Sequence, residues 1–402
     1  MTNSIGNYPL FEIKIIMAKQ NSQNTMLAHS RAKVEFYEKY LERYLPILSL
    51  SKYISTINIY DVFCGRGVYE NGGEGSPVRA LKTIVKIRQQ TPSDTKIILR
   101  LNDNNDNNIA SVKQYFAQEV PDYQQYCDVR FASVDAEDLL DKMATWLSST
   151  NTNERNLLFI DPYGYKTIHK DTLDKLMNNG KTEIILFLPV SFMHRFKGYA
   201  LETDKETIAP LRRFTEDFFL EDHPMRKVDE EMNVHEYIDY LQTAFSYDGK
   251  YYTSSYQIER EKGKYFALFF MTSNLLGFEK ILEVKWTLDE EDGNGFVLEK
   301  NSHQPTLFDD FFANQKKNEH SNKLRGLLMN YLKVVRENGE LYKFVLKQGY
   351  LSRHATGILK QLQDEGRLEV IDIATGKPAR KGSFYLKYDA VSNPQVKYVL
   401  KK

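Results

Sequence analysis

Apolar positions along this chain follow two rhythms, one helical and one of short unbroken runs, and their order predicts most of the architecture. Between Leu27 and Leu50, the residues Val34, Tyr37, Leu41, Tyr44, Leu45 and Leu48 repeat at helical spacing. Five apolar runs follow: Ile57 to Asp61, Lys96 to Leu101, Val129 to Val134, Asn156 to Ile160, and Glu183 to Leu188, the last stopped by Pro189. Helical stretches separate them, most clearly from Pro77 to about Gln89 and around Val112 to Phe116. Strands alternating with helices pack as a parallel sheet covered on both faces, which predicts a doubly wound α/β domain. Leu157 to Ile160 is apolar throughout, as suits a central parallel strand. Residues 200–246 are charged and helical and read as an insertion or cap. Tyr251 to Ile258 and Tyr265 to Ser273, joined by Arg260-Glu261-Lys262-Gly263-Lys264, predict an antiparallel hairpin. Ile281 to Trp286 is a helix or a strand that closes the sheet.

The remainder of the chain is patterned differently. Asp289 to Gly295 reads as an exposed acidic turn, and residues 299–320 as a polar linker. Within the linker, Pro305 to Phe312 is an apolar patch expected to dock on the chain's own body, recruitment of a partner being the other reading. Residues 321–390 then predict helices at Leu324 to Asn338, Glu340 to Lys347 and Ser352 to Glu365, and strands at Leu368 to Ile373 and Ser383 to Tyr388. Three helices and a β-hairpin make a winged helix, a relative of the helix-turn-helix. Residues 1–26 read as a loosely held arm, 27–298 as the α/β domain and 391–402 as a basic tail.

Candidate chemistry collects where the strands stop. The first run ends in Asp61 and breaks into Phe63-Cys64-Gly65-Arg66-Gly67, continuing through Gly72-Gly73 to Gly75-Ser76-Pro77. Open α/β sheets bind ligands beyond the carboxyl ends of their strands, and glycine can take positive φ there. Gly65 and Gly67 are expected to let a ribose or amino-acid portion lie on bare main chain, with Asp61 taking an ammonium or hydroxyl. An ordinary strand–turn–helix corner is the plainer reading. The second run ends in Asn102-Asp103-Asn104-Asn105-Asp106, where such folds hold a ribose; Asp103 is the expected contact and Asp106 the alternative, while an Asn/Asp-rich turn needs no ligand. Asp135, after the third run, either accepts from an adenine amine or caps a helix. The fourth run ends in Asp161-Pro162-Tyr163-Gly164-Tyr165, placed to wall a pocket beside the glycine turn. His29, Arg31 and Lys33 stand at the start of the first helix, where cations oppose the macrodipole; a binding role and a solvated basic turn both remain open.

Charge alters the picture in one respect. Basic and acidic residues number 54 each, yet from Lys316 onward 18 lysines and arginines stand against 8 acids. A basic module on an acidic body points to nucleic acid, DNA ahead of RNA; docking onto the acidic body is the other reading. A recognition helix reads DNA from its N-terminal residues while a wing grips the backbone. That makes Arg353, His354 and Thr356 of the third tail helix, and Lys377, Arg380 and Lys381 at the hairpin tip, the expected contacts. Winged helices also serve as protein-docking modules. Cys64 and Cys127 are the only cysteines, which indicates neither a disulfide framework nor structural zinc and suits a reducing cytoplasm. No apolar run reaches the roughly 18 residues of a spanning helix, so no membrane is expected, and no spacing of metal ligands is present.

Five strands alternating with helices, then a hairpin, resemble the seven-stranded Rossmann-like sheet of S-adenosylmethionine-dependent methyltransferases. Asp61-Val62-Phe63-Cys64-Gly65-Arg66-Gly67 looks like the first motif of DNA methyltransferases, and Asp161-Pro162-Tyr163-Gly164 resembles their (D/N)PP(Y/F) box. Together, His29 to Lys33, the Gly75-Ser76-Pro77 step, Phe159 to Gly164 and Tyr265 to Gly277 resemble the three-Cys-motif partner family, TcmP, over most of residues 27–290. The resemblance implies S-adenosylmethionine as cofactor, with Asp61, Phe63, Gly65, Gly67, Asp103 and Asp135 around it. It further implies Asp161, Pro162 and Tyr163 at the methyl acceptor, and a radical-type three-cysteine protein as partner. In amino-methylating DNA enzymes the carboxylate or amide of the box accepts the target amine's hydrogens and the aromatic stacks on a flipped base. Here Tyr163 replaces the second proline and Gly164 the aromatic, leaving Tyr163 or Tyr165 to stack. Three functions stay open: a methyltransferase acting on or near nucleic acid, a non-catalytic S-adenosylmethionine-binding sensor or scaffold, and a Mg²⁺-dependent nuclease using Asp61, Asp103 and Asp161.

Overall fold

The computed structural model describes residues 25–228, 231–297 and 307–401, with side chains omitted at 307–314. Its first five strands are parallel: β1 (Thr56–Asp61), β2 (Lys96–Asn102), β3 (Asp128–Ala132), β4 (Glu154–Ile160) and β5 (Thr182–Leu188). The hairpin β6 (Tyr252–Glu261) and β7 (Lys264–Thr272) follows, β7 lying antiparallel to both β5 and β6, and the two-residue β8 (Gly295–Phe296) adds to β6. The order is β3-β2-β1-β4-β5-β7-β6-β8. The winding reverses between β1 and β4, so the crevice of this doubly wound, Rossmann-like sheet opens between Asp61 and Asp161.

Strand parity sorts the core into two faces. Ile57, Ile59, Leu157, Phe159, Ile185 and Phe187 pack with α1 (Ala28–Ser49), α2 (Ser76–Gln90), α3 (Asp106–Glu119) and α9 (Leu275–Leu288). Tyr60, Leu158, Ile160, Ile184, Leu186 and Leu188 face α4 (Ala136–Trp146), α5 (Lys170–Met177), α6 (Val190–Glu202), α7 (Ala209–Phe218) and α8 (Val234–Ala244). The region expected as an insertion thus supplies much of the second face, with Leu211, Phe214, Tyr237 and Leu241 buried. Ile281 to Trp286 is helical, within α9.

The C-terminal module runs α10 (Leu307–Tyr331), β9 (Arg336–Glu337), α11 (Asn338–Lys347), α12 (Ser352–Asp364), β10 (Leu368–Asp372) and β11 (Val396–Leu400). Its antiparallel sheet has the order β10-β11-β9. Three expectations need correction. The strand pairing β10 is Val396–Leu400, not Ser383 to Tyr388, because Gly382 and Tyr385 take positive φ and bend that stretch out of extended geometry. Val396 and Tyr398 are fully buried, so residues read as a basic tail instead close the sheet. The first helix starts inside the expected linker and stops at Tyr331; Asn338 belongs to α11, where its side chain donates to Tyr385 O at 3.0 Å and accepts from Gln395 N at 2.9 Å.

Module and body meet along α9. Trp286 Nε1 donates to Gly349 O at 2.9 Å, His320 contacts Asp292 Oδ1 at 2.9 Å, and Lys316 pairs with Asp292 at 2.8 Å. The acidic turn is therefore not simply exposed: Asp289 is buried and accepts from Asn294 N and Gly295 N, each at 3.1 Å. The expected arm lies outside the described residues up to 24, but Met26 is not loosely held, exchanging hydrogen bonds of 3.1 and 3.2 Å with the Asn71 side chain. The apolar patch at Pro305 to Phe312 lies outside the described residues and side chains. Among the described residues, no helix is long and apolar enough to cross a membrane.

Candidate functional site

The glycine turn is shaped by backbone need. Gly65 and Gly67 take φ of 63° and 83°, the left-handed region that glycine alone enters freely. A Cβ on Gly67 would stand 3.0 Å from Val112 Cγ2, whereas one on Gly65 would meet nothing within 4 Å, so the main chain at Gly65 borders open space. Two strand-end side chains hold the turn. Asp103 accepts from Gly65 N at 3.0 Å and from Asn105 N and Asn108 Nδ2 at 2.9 Å. Asn102, quoted in the sequence only as part of a turn, ties Val62 O to Val134 O through its amide, both at 3.1 Å.

Parity places Asp61, Phe159, Asp161 and Phe187 on the face that α1 covers. Asp61 is 1% exposed, and neither carboxylate oxygen has a hydrogen-bond partner in the chain. Burial pushes its carboxyl up to about 7; the Ser76 hydroxyl and Lys33 oppose that rise, and the charges of Asp161 and Asp103 add to it. Ser76 acts without reaching hydrogen-bond geometry. Across the crevice, Asp161 Oδ2 accepts from the Lys33 ammonium, which also lies 4.5 Å from the centre of the Phe187 ring. Burial disfavours the Lys33 charge, but Asp161, Tyr69 and Asp61 outweigh it and the pKa is raised. One turn earlier, His29 packs on Phe266 at 5.2 Å and is held near 4 by burial and by Lys33 and Arg260, so it is neutral at pH 7.

The other candidates divide. Pro162 is buried and Tyr163 is 61% exposed beside Asp161. Tyr165 packs against Phe192 and Phe214 in the core, so of the two tyrosines only Tyr163 is presented for stacking. Phe63 is half-buried on the second face. Asp135 is exposed and caps α4, accepting from Glu137 N at 2.9 Å and Asp138 N at 3.3 Å. Asp106 is exposed in the first turn of α3, and the cap there is Asn105. In the module, Arg353 and Thr356 face outward, as do Lys377 and Arg380, while Lys381 pairs with Asp364 of α12. His354 departs from expectation: its ring packs 4.4 Å from Trp286 of the body and accepts from Leu351 N, so it faces the junction. Burial first, then Arg353, His320 and Lys317, hold it near 4. Asp61, Asp103 and Asp161 do not assemble as ligands; among the described residues no group of three or more His, Cys, Asp or Glu is placed to hold a metal ion.

No protein-family model matches the chain, and no curated protein matches it. Solved structures do. One is protein LPL1258 of Legionella pneumophila, of the family model DUF519, at 15% identity and a TM-score of 0.37, covering 66% of this chain and 92% of that one. Another is the O-methyltransferase TomG of Streptomyces achromogenes, solved in complex with S-adenosylmethionine, at 11% identity and a TM-score of 0.31, covering 59% and 79%. Likenesses this distant leave the fold assignment to rest on strand order and register.

Proposed function

We propose that the chain is an S-adenosylmethionine-dependent methyltransferase acting on or near nucleic acid. The observation that carries this reading is Asp61: a carboxylate buried at the first strand end with no hydrogen-bond partner, leading into a turn whose main chain borders open space at Gly65. Leaving an anion unpaired in a protein interior costs several kcal/mol, and the ammonium of an amino-acid ligand is the partner such a site lacks. Toward the cofactor the chain would offer Asp61 for the ammonium, Gly65 and Gly67 for close approach, Asp103 for the ribose and Phe63 at the wall, while Asp135 serves as the α4 cap. When bound, the cofactor supplies a methyl group on a sulfonium. The chain's part is to align the acceptor beside Asp161 and Tyr163 and to exclude water. Calorimetry should show saturable binding of S-adenosylmethionine and S-adenosylhomocysteine; absence of heat with both would remove the reading.

One observation favours the second reading, a sensor or scaffold that binds the cofactor without using it. Asp161 is already paired with Lys33, in a box lacking the second proline. Transfer of a tritiated methyl to pooled DNA, RNA and protein separates the two, with Asp161→Ala as control. Under either reading, the TcmP resemblance adds a three-cysteine protein as the partner to look for.

For the C-terminal module we propose a winged helix that contacts nucleic acid through Arg353, Thr356, Lys377, Arg380 and Lys381. His354 is not part of that surface. Duplex DNA binding should weaken as salt rises, and changing Lys377, Arg380 and Lys381 together to alanine should lower the salt slope by about 2 to 3. An unchanged slope in the triple variant would discard this surface.

A further inference from the structure

Lys33 is a cation brought into direct contact with the acceptor-side box from outside the strand-end loops. It belongs to α1, lies 128 positions from Asp161, and still donates to Asp161 Oδ2. Its side chain is 12% exposed and that of Asp161 19%, so the pair is largely withdrawn from water. A lysine at this depth needs compensation. Here its ammonium lies 4.5 Å from the centre of the Phe187 ring and meets the Asp161 carboxylate, and Asp61 adds favourable charge. A pair on the surface would gain little from such contacts; this one is held between three strand ends.

Building on the methyltransferase reading, we propose that Lys33 is a positioning residue for methyl transfer. By engaging Oδ2, the ammonium fixes the Asp161 carboxylate in one orientation and leaves Oδ1 to accept a hydrogen bond from the acceptor, an exocyclic amine or other N–H or O–H group presented beside Tyr163. Oδ1 also takes the proton that the acceptor sheds as it gains the methyl and the sulfonium leaves as a thioether. This assigns a task to the basic turn of α1 and gives the box a support that its missing second proline does not provide. A charge-assisted hydrogen bond suits the purpose, since it is directional and stronger than a neutral one. Groups that orient a reacting side chain in this way typically contribute about 10- to 100-fold, as second-layer partners do at metal sites.

The test uses the full chain with S-adenosylmethionine binding by calorimetry and tritiated-methyl transfer to pooled nucleic acid. Lys33→Met keeps the stem and removes the charge. Its kcat should fall about 10- to 100-fold while cofactor affinity changes less than about threefold, and Lys33→Arg should recover most of the rate. Because Lys33 acts through Asp161, the double variant Lys33→Met/Asp161→Ala should be no slower than Asp161→Ala alone. A lysine that merely stabilised the fold would lower the melting temperature and multiply with Asp161→Ala. Wild-type kcat in Lys33→Met, or a double variant well below Asp161→Ala, overturns the assignment and leaves the methyltransferase reading standing. Cofactor binding without transfer by the wild-type chain overturns it in favour of the sensor. No cofactor binding at all removes the reading itself, and the assignment with it.

Discussion

Gly65→Val is expected to reduce S-adenosylmethionine affinity by more than about 100-fold, close to 2.7 kcal/mol, while leaving the chain folded. Two physical effects act together. Gly65 sits at φ +63°, where a β-branched residue is a true outlier, costing roughly 1–2 kcal/mol. That cost falls on a turn held by Asp103 through the Gly65 N–H, so the strain is paid in the shape of the turn. The second effect is occupancy. No atom lies within 4 Å of the position a Cβ would take, so valine meets no resistance from the protein and projects into the space where the ligand would approach. Gly67→Val makes a useful contrast. There the new side chain strikes Val112 of α3, so stability should fall along with binding. Calorimetric titration and thermal melting of both variants separate the two. If Gly65→Val binds the cofactor like the wild type, no ligand lies along this main chain.

The sheet was legible because each determinant is local. Apolar runs that end in an acid, with helical stretches between them, specify parallel strands and a crevice at the switch point without reference to distant residues. The reach of Lys33 was not legible, although the residue itself was. It depends on parity, since Asp61, Asp161 and Phe187 all turn to the face covered by α1, and on the helical turn that points Lys33 down into that layer. Counting alternate positions from the buried runs would have exposed the coincidence. His354 was misread for a related reason. The outward side of α12 is set by Trp286 of the body, and helical periodicity within α12 carries no record of it. Val396–Leu400 does alternate Val-Lys-Tyr-Val, a strand signal, but its lysines and its place after Asn393-Pro394 gave it the look of a tail.

Between pH 5 and pH 8 the wild-type chain should lose stability, and Asp61→Asn should remove a large share of that loss. The sign follows from linkage. Asp61 titrates near 7 when folded, against about 4 in an unfolded chain. The folded state therefore holds its proton more tightly than the unfolded state does. Stability is highest below the unfolded value, declines as pH rises towards 7, and is level above it. The part of that decline between pH 5 and 7, about two pH units, corresponds to roughly 3 kcal/mol, or a fall in melting temperature on the order of 5 °C. Glu183 acts in the same direction, its carboxyl raised by burial to about 7 despite hydrogen bonds from Tyr40 and Thr272. Asp61→Asn should therefore flatten part of the pH profile, and Asp61→Asn combined with Glu183→Gln most of it. Melting temperatures at pH 5 and pH 8 for wild type and both variants decide the matter. If the Asp61→Asn profile runs parallel to the wild type's, the first strand end does not hold an uncompensated anion, and the charge argument for a cationic ligand loses its footing.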